Sequence, residues 1–519
     1  MAYRPIGPAG SVGVNKDLSS KLLKPEAWTD ALNIRFLDQM AYQFLGHGEV
    51  FQGAPIVPFH VLPVSIGGAR YWIYAGLGKV YAVSGATGST VHTDITRSSG
   101  GDYTATPNSW TSTTIGGIPV LNPGNTTDPP QRWDLNLANN LVTLDNWPAN
   151  TFCRSMRSFK NQLVALNVTE SGTNYPYMVW WSSLADPGSV PASWVINDPS
   201  IDAGRFDLAE GYDAIIDGLQ LRDSLMIYKE SSVYRLDYVG GAFINQSSKV
   251  LGTSGAMNRN CIVELDGLHL LLTNQDVVVH DGQTATSALD KQARRDLFRS
   301  IDSQNYYRSF VTKNPFLNEV LICYPQAGST YPDRALVWNY VDRTTSFREI
   351  PNLNHANFGP VEVGSSQPWN GDDSPWSSDT TLWNAPEYTP DAARVLMASN
   401  DQKLFLLDSS TTFDGVLPQA HLERRGLSWW PLERRSMVRK VRPHIQGQVG
   451  ATVMVSVGYA DDPYSDPTYA SPVAYTIGTG NDCDFTVDGR YIAFKFWSGT
   501  AYEWRLDSFD VDVVPSGFW

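Results

Sequence analysis

The sequence predicts an all-β chain, a β-propeller of six or seven blades plus a C-terminal β-sandwich platform domain, and three observations carry that prediction. One short pattern, an apolar run, a polar turn and a second apolar run, recurs between Ile66 and Asp408. Clear copies begin at Tyr71, Gln162, Ser224, Leu268, Glu319 and Arg394, and a weaker one, GIPVLNPGNTTDPPQRWD, begins at Gly117. Most of the steps between copies lie near the ~45 residues of a four-stranded blade. The runs are rich in Val, Ile, Tyr and Trp, which suit a half-buried pleated surface, and Gly, Asn, Asp and Pro bound them. Beyond about residue 415 the pattern changes to long alternating stretches, VGATVMVSVGY, DCDFTVDGRYIAFKFWSG and EWRLDSFDVDVV, the signature of antiparallel strands with one buried face.

Taken in order, residues 1–59 form a non-repetitive N-terminal segment, with apolar anchors at Trp28, Ile34, Phe36, Met40, Tyr42 and Phe44. The last four alternate, which predicts a strand with one buried face that joins the platform. Residues 60–414 are the propeller, because a single repeat cannot bury both of its faces and stacked copies can. Within it, DKQARRDLFRSID predicts a helix, with Asp290 as its cap and Ala293, Leu297 and Ile301 on one stripe. Residues 351–393 are a long irregular loop carrying Trp369, Trp376 and Trp383, and tryptophans in such a loop point to an interface that covers them. Residues 415–519 are the platform.

Composition narrows the functions. Apolar residues make up 42% of the 519 residues and aromatics 12%, as a packed protein requires. The net charge of −14 excludes tight general binding to nucleic acid, which depends on cations displacing counterions from phosphates. Cys153, Cys261, Cys323 and Cys483 lie far apart, with neither zinc-ligand nor disulfide-framework spacing, and read as buried thiols. The N-terminus lacks a signal-peptide pattern and no apolar stretch approaches ~20 residues, so folding in a cytoplasm without membrane insertion is expected.

No residue pattern points to a catalytic, cofactor-binding or metal-binding role. The eight histidines show no HExxH or similar spacing, and no GxSxG elbow or phosphate-cradling glycine loop occurs. Asp202, Asp207, Asp213, Asp217 and Asp223 crowd one stretch, and a pair of them would suit glycoside hydrolysis. They also neighbour Gly204, Gly211 and Gly218, where aspartate is favoured in turns. AVSGATG at 82–88 is similar to part of the tryptophan-docking repeat of quinoprotein propellers, but Ser84 replaces its aspartate and no Trp follows. The densest basic run is the twin LERR at 422–425 and 432–435 with Arg439, Lys440 and Arg442 beyond it. Arg424, Arg425, Arg434, Arg435, Arg439 and Lys440, together with Trp369, Trp376 and Trp383, are therefore the predicted assembly interface.

Several stretches resemble a known family. AWTDALNIRFLDQMAYQFLGHGEVF, GDYTATPNSWTSTTIGGIPVLNPGNTTDPPQRWD, GLQLRDSLMIYKESSVYRLDYVGG, GLHLLLTNQDVVVHDG, NEVLICYP, ALVWNYVDRTTSFREIP and the closing GRYIAFKFWSG…EWRLDSFDVDVVPSGFW are similar, in order, to the tail nozzle or tail hub (tail tubular protein B-like) proteins of short-tailed bacteriophages. Gln39 stands where that family tends to have Gly. The resemblance implies a structural virion protein in the tail, assembled in the host cytoplasm as a hexameric ring. It would dock on the adaptor beneath the portal, support fibres or spikes, and close and then conduct a channel for genomic DNA without sequence-specific binding. A propeller that binds or cleaves glycans is the alternative.

Overall fold

The computed structural model describes residues 3–66, 69–84, 90–196, 198, 200–241, 244–361, 393–430 and 434–518. The described residues are overwhelmingly strand, and seven antiparallel sheets among them have four strands each. The hairpin visible in each sequence repeat forms the two middle strands of one sheet: Ala69–Ala75 with Val80–Ser84, Gln162–Glu170 with Thr173–Trp181, and Glu319–Tyr324 with Arg334–Asn339, for example. Middle strands are covered on both sides, which is why Gln162–Glu170 is buried from Gln162 to Thr169. Some fourth strands are short and exposed, as Val142–Thr143 and Ala285–Ser287 mostly are.

The chain divides into two compact units, each discontinuous in sequence, rather than into three consecutive domains. One comprises Glu49–Gly252 and Leu353–Leu406. Its sheets are joined by shared apolar seams. Leu62, Ile73, Trp110, Leu121 and Trp133 bind the first sheet to the second, and Val120, Met156, Leu163 and Trp180 bind the second to the third. Phe159, Leu166, Leu225 and Ile227 bind the third to the fourth, and Val61, Trp72, Leu396 and Leu404 bind the seventh to the first. Each buried Leu, Ile or Val contributes about 1.5–3 kcal/mol. A sheet stripped of its neighbour would expose such a seam.

The other unit holds Met1–Gly48, Thr253–Asn352 and Leu407–Trp519. It contains the fifth and sixth four-stranded sheets and two six-stranded sheets. N-terminal strands enter both larger sheets: Tyr3–Ile6 pairs with Trp504–Phe518, and Asp30–Leu32 with Ala420–Leu427. Phe494 and Phe496 of one larger sheet meet Phe509 of the other at ring-centroid distances of 5.2 and 5.1 Å. Trp28 stands edge-on to Phe496 at 6.2 Å.

Three local expectations are corrected. Part of the irregular loop expected over 351–393 is regular: Leu353–Pro360 is a strand paired with Ala393–Ser399. Residues 34–43 form a hairpin, Ile34–Leu37 and Met40–Gln43, rather than a single strand. Asp38 and Gln39 both have positive φ (50° and 65°), a two-residue turn that flips the side-chain parity, so Ala41 and Gln43 are buried while Met40 and Tyr42 are half-buried. The helix α1 spans Arg294–Ser300, with Leu297 inward, and Asp290 does not cap it. Its first N–H groups go instead to Asp17, whose Oδ1 accepts from Arg295 N at 3.1 Å and Asp296 N at 3.3 Å.

Candidate functional site

The first strands of the sheets in the Glu49–Gly252 unit carry polar residues where the middle strands carry apolar ones, and these residues meet. His355 packs against His60 with ring centroids 4.3 Å apart and the planes tilted by 39°. His60 Nε2 lies 2.8 Å from Ser112 Oγ, and Arg157 Nη1 donates to the Ser112 carbonyl at 3.0 Å. Arg157 also grips Asp217 through Nε (2.8 Å) and Nη2 (2.6 Å), while Ser155 Oγ donates to Asp217 at 2.5 Å. The belt thus ties five strands from five sheets. Burial, reinforced by His355 and Arg157, holds His60 well below its ordinary range, and burial with Arg157 brings His355 down to about 3. Burial pushes Asp217 up, but Arg157 and the hydrogen bonds outweigh it and hold the carboxyl below its usual range.

Ser112 and His60 have the separation of a nucleophile and its base. The third member is missing. His60 Nδ1 is buried without a hydrogen-bond partner, so no carboxylate orients the imidazole, and the nearby Asp217 is bound to Arg157. The belt is suited to holding strands in register and not to acyl transfer.

The aspartate cluster flagged by the sequence does not converge. Asp217 is in the belt, Asp223 pairs with Lys160 at 2.7 Å, and Asp213 accepts from Lys229, Ser231 and Ser232. Asp202 offers its backbone carbonyl to Trp181 Nε1, and Asp207 is an exposed strand residue. Turn placement accounts for only part of the cluster; ion pairing accounts for much of the rest.

Lys229, which sequence reasoning missed, organises this region. Its side chain is fully buried, and its Nζ donates to the carbonyls of Leu208 (3.0 Å) and Glu210 (3.1 Å) and pairs with Asp213 at 2.9 Å. The rings of Tyr177 and Tyr234 flank the ammonium at 5.1 and 5.6 Å. Three acceptors from residues 208–213 on one buried cation fix that loop. At its tip Tyr212 is 100% exposed. The available signal was a lysine ending the apolar run SLMIYK, at a position that should face inward.

In the other unit most cations of the basic run, expected as an assembly surface, have partners within the chain. Arg424 is buried and donates to the carbonyls of Ser20, Leu23 and Lys24, and burial brings its pKa down to about 10. Arg425 is taken by Glu423 (2.7 Å) and Asp466 (2.6 Å), and Arg435 by Asp488 (2.7 Å) and Asp461 (3.1 Å). Arg439 pairs with Asp512 at 2.9 Å and Lys440 with Asp484 at 3.1 Å. Arg434 opens the strand Arg434–Gly447, which lies between two other strands of its sheet. Cross-strand aspartates thus consume most of the charge a partner would read. A recess beside Arg425, lined also by Gly426, Tyr491 and Ala493, has about 10 Å³ of room, enough for roughly one water. Trp369, Trp376 and Trp383 lie outside the described residues.

The same unit buries a four-charge network. Arg35 pairs with Glu319 (2.7 Å) and Asp408 (2.5 Å), and Asp408 also takes Arg348 at 2.6 Å. All four cysteines are buried. Among the described residues no group of three or more His, Cys, Asp or Glu is placed to hold a metal ion, and no helix is long and apolar enough to cross a membrane.

No protein-family model matches the chain, and no curated protein sequence does. Among solved structures it is similar to the extracellular domain of a proposed one-component system from B. thetaiotaomicron, at 8% identity and a TM-score of 0.40. That likeness covers 90% of this chain and 63% of that one, so the chain spans less than two thirds of the sensor domain. It is also similar to an exo-β-1,3-galactanase from Phanerochaete chrysosporium solved with β-1,3-galactotriose, at 9% identity and a TM-score of 0.25, covering 90% of this chain and 99% of that one. The hexameric tail nozzle on an adaptor ring that was expected from the sequence finds no support here: the structures just named are a sensor domain and a galactanase, not tail proteins.

Proposed function

We propose that this protein is a non-catalytic glycan-binding protein, with its four-stranded sheets as β-propeller blades and its two six-stranded sheets as a β-sandwich. The observation that carries the reading is Tyr212, a wholly exposed aromatic ring on a loop fastened by the buried Lys229. Sugar rings present apolar C–H faces that pack on aromatic rings, while their hydroxyls need polar neighbours. Glu210, exposed on the same loop, supplies one. Because the loop is already fixed, a ligand need not bear the entropy of ordering it, which would otherwise weaken binding.

Binding without cleavage is favoured by the carboxylates. Glycoside hydrolysis needs two of them flanking one bond, about 5–5.5 Å apart for retention or about 6.5–9.5 Å for inversion. Here Asp213, Asp217 and Asp223 are committed to three different cations. The test is a panel of immobilised oligosaccharides. Saturable retention of at least one is expected, with Tyr212→Ala weakening it roughly tenfold, as removal of an aromatic anchor does, at an unchanged melting temperature. Failure of the whole panel to bind would remove the reading.

A further inference from the structure

Arg308 is held in a way that the other cations named above are not. The loop bearing it is fixed by Asp302, whose carboxylate accepts from the backbone N–H groups of Gln304 (2.9 Å), Asn305 (2.9 Å) and Gly328 (3.0 Å). Asn305 Nδ2 donates to the Ser329 carbonyl at 3.3 Å, and Asn258 Nδ2 to the Tyr306 carbonyl at 3.3 Å. On this base the Arg308 guanidinium lies 4.3 Å from the ring centroid of Tyr331 and 5.5 Å from that of Tyr307. Nε donates to Tyr307 Oη at 3.3 Å. Nη1 is enclosed and has no hydrogen-bond partner. Among the described residues no carboxylate pairs with Arg308, whereas Arg35, Arg157, Arg348 and Arg435 each take one at 2.5–2.7 Å. Beside it Tyr306 is 44% exposed and Tyr307 40%.

An arginine stacked between aromatic rings keeps its charge while losing much of its hydration, and that favours a ligand carboxylate over water. The Tyr331 side chain also hydrogen-bonds the guanidinium, which still meets no carboxylate among the described residues. The exposed tyrosine faces next to it suit the C–H face of a sugar ring. We infer that Arg308, with Tyr306, Tyr307 and Tyr331, forms a second glycan subsite, selective for an acidic sugar of the uronate type. The carboxylate lies on Arg308 and the pyranose ring on the tyrosines. This inference rests on the glycan-binding reading. One stacked cation in a chain of net charge −14 matches one carboxylate per sugar, and it does not match the dense phosphates of a nucleic acid.

The test titrates the full-length protein with tetragalacturonate and with neutral tetragalactose, and separately with sodium sulfate. Tetragalacturonate is expected to bind more tightly than tetragalactose, with the difference shrinking as salt rises. Arg308→Ala and Arg308→Gln are each expected to cost it roughly tenfold, the loss typical of one charge-assisted hydrogen bond, and Tyr306→Ala to weaken it as well. The melting temperature of each variant guards against misfolding. Equal affinity for the two oligosaccharides, or an Arg308→Gln variant that binds tetragalacturonate like wild type, overturns the acidic subsite. Tyr212-dependent binding of neutral sugars would survive that result, and its loss would strike the broader reading instead. Displacement of tetragalacturonate by equimolar sulfate would reduce the site to a simple anion site and overturn its assignment to a sugar.

Discussion

Asp408→Asn is the sharpest perturbation of the fold, because it removes one charge from a network that is balanced only as a whole. Asp408 neutralises two guanidiniums at once, Arg35 at 2.5 Å and Arg348 at 2.6 Å, and the Arg348 side chain has no solvent exposure. Glu319 remains on Arg35 at 2.7 Å. The substitution therefore leaves two cations facing one anion in the interior, and the new side-chain amide turns an NH₂ group, which cannot accept, toward N–H donors. Breaking a buried pair by removing one partner costs about 3–5 kcal/mol, mostly from the charge left uncompensated. At roughly 2 °C per kcal/mol for a unit of this size, the melting temperature should fall by about 6–10 °C. Differential scanning fluorimetry reads this directly. Asp223→Asn is the control, since Asp223 is 93% exposed though only 2.7 Å from Lys160, and it should leave the melting temperature unchanged. If Asp408→Asn melts within a degree of wild type, the network is not the structural centre of its unit, and the reasoning from burial fails.

Acid should weaken the protein before its carboxylates titrate. Burial holds His47 and His355 down to about 3 and His280 down to about 4, whereas an unfolded histidine titrates near 6.5. Below about pH 6.5 the unfolded chain takes up protons that the native state refuses, so this stability is complete above that pH and is lost progressively toward pH 4. Melting temperatures recorded from pH 7.5 to 4.5 should decline, less steeply in His355→Asn; a flat profile would contradict the assignment. Asp17→Ala should cost about 1 kcal/mol by removing the cap of α1, and Asp17→Asn should retain most of it; denaturant midpoints of the two variants decide.

What could be read from the sequence was the middle of each sheet. Gln162–Glu170 and Glu319–Tyr324 are covered on both sides, so most of their residues are apolar and the repeat stood out. Val142–Thr143, two exposed residues, carries no periodicity to detect. The hairpin at Asp38–Gln39 escaped because its turn lacks the usual glycine, which let two strands pass for one. The cap of α1 and the neutralisation of the basic run were hidden for another reason. Asp17 is far in sequence from Arg295, and Asp484 and Asp512 are far from Lys440 and Arg439, so only the folded register reveals these pairs. The candidate sites were less legible still. Lys229 and Arg308 are single cations whose importance comes from what they lack or gain in burial, and no motif announces that.

The central claim is binding of a glycan without its cleavage, and calorimetric titration of the oligosaccharide that the panel retains, with the same solution assayed for new reducing ends, tests it most directly. The account predicts a saturable isotherm for wild type, a roughly tenfold weaker one for Tyr212→Ala, and no new reducing ends from either. Sustained release of reducing ends by the wild type, or an isotherm that Tyr212→Ala leaves unchanged, would contradict it.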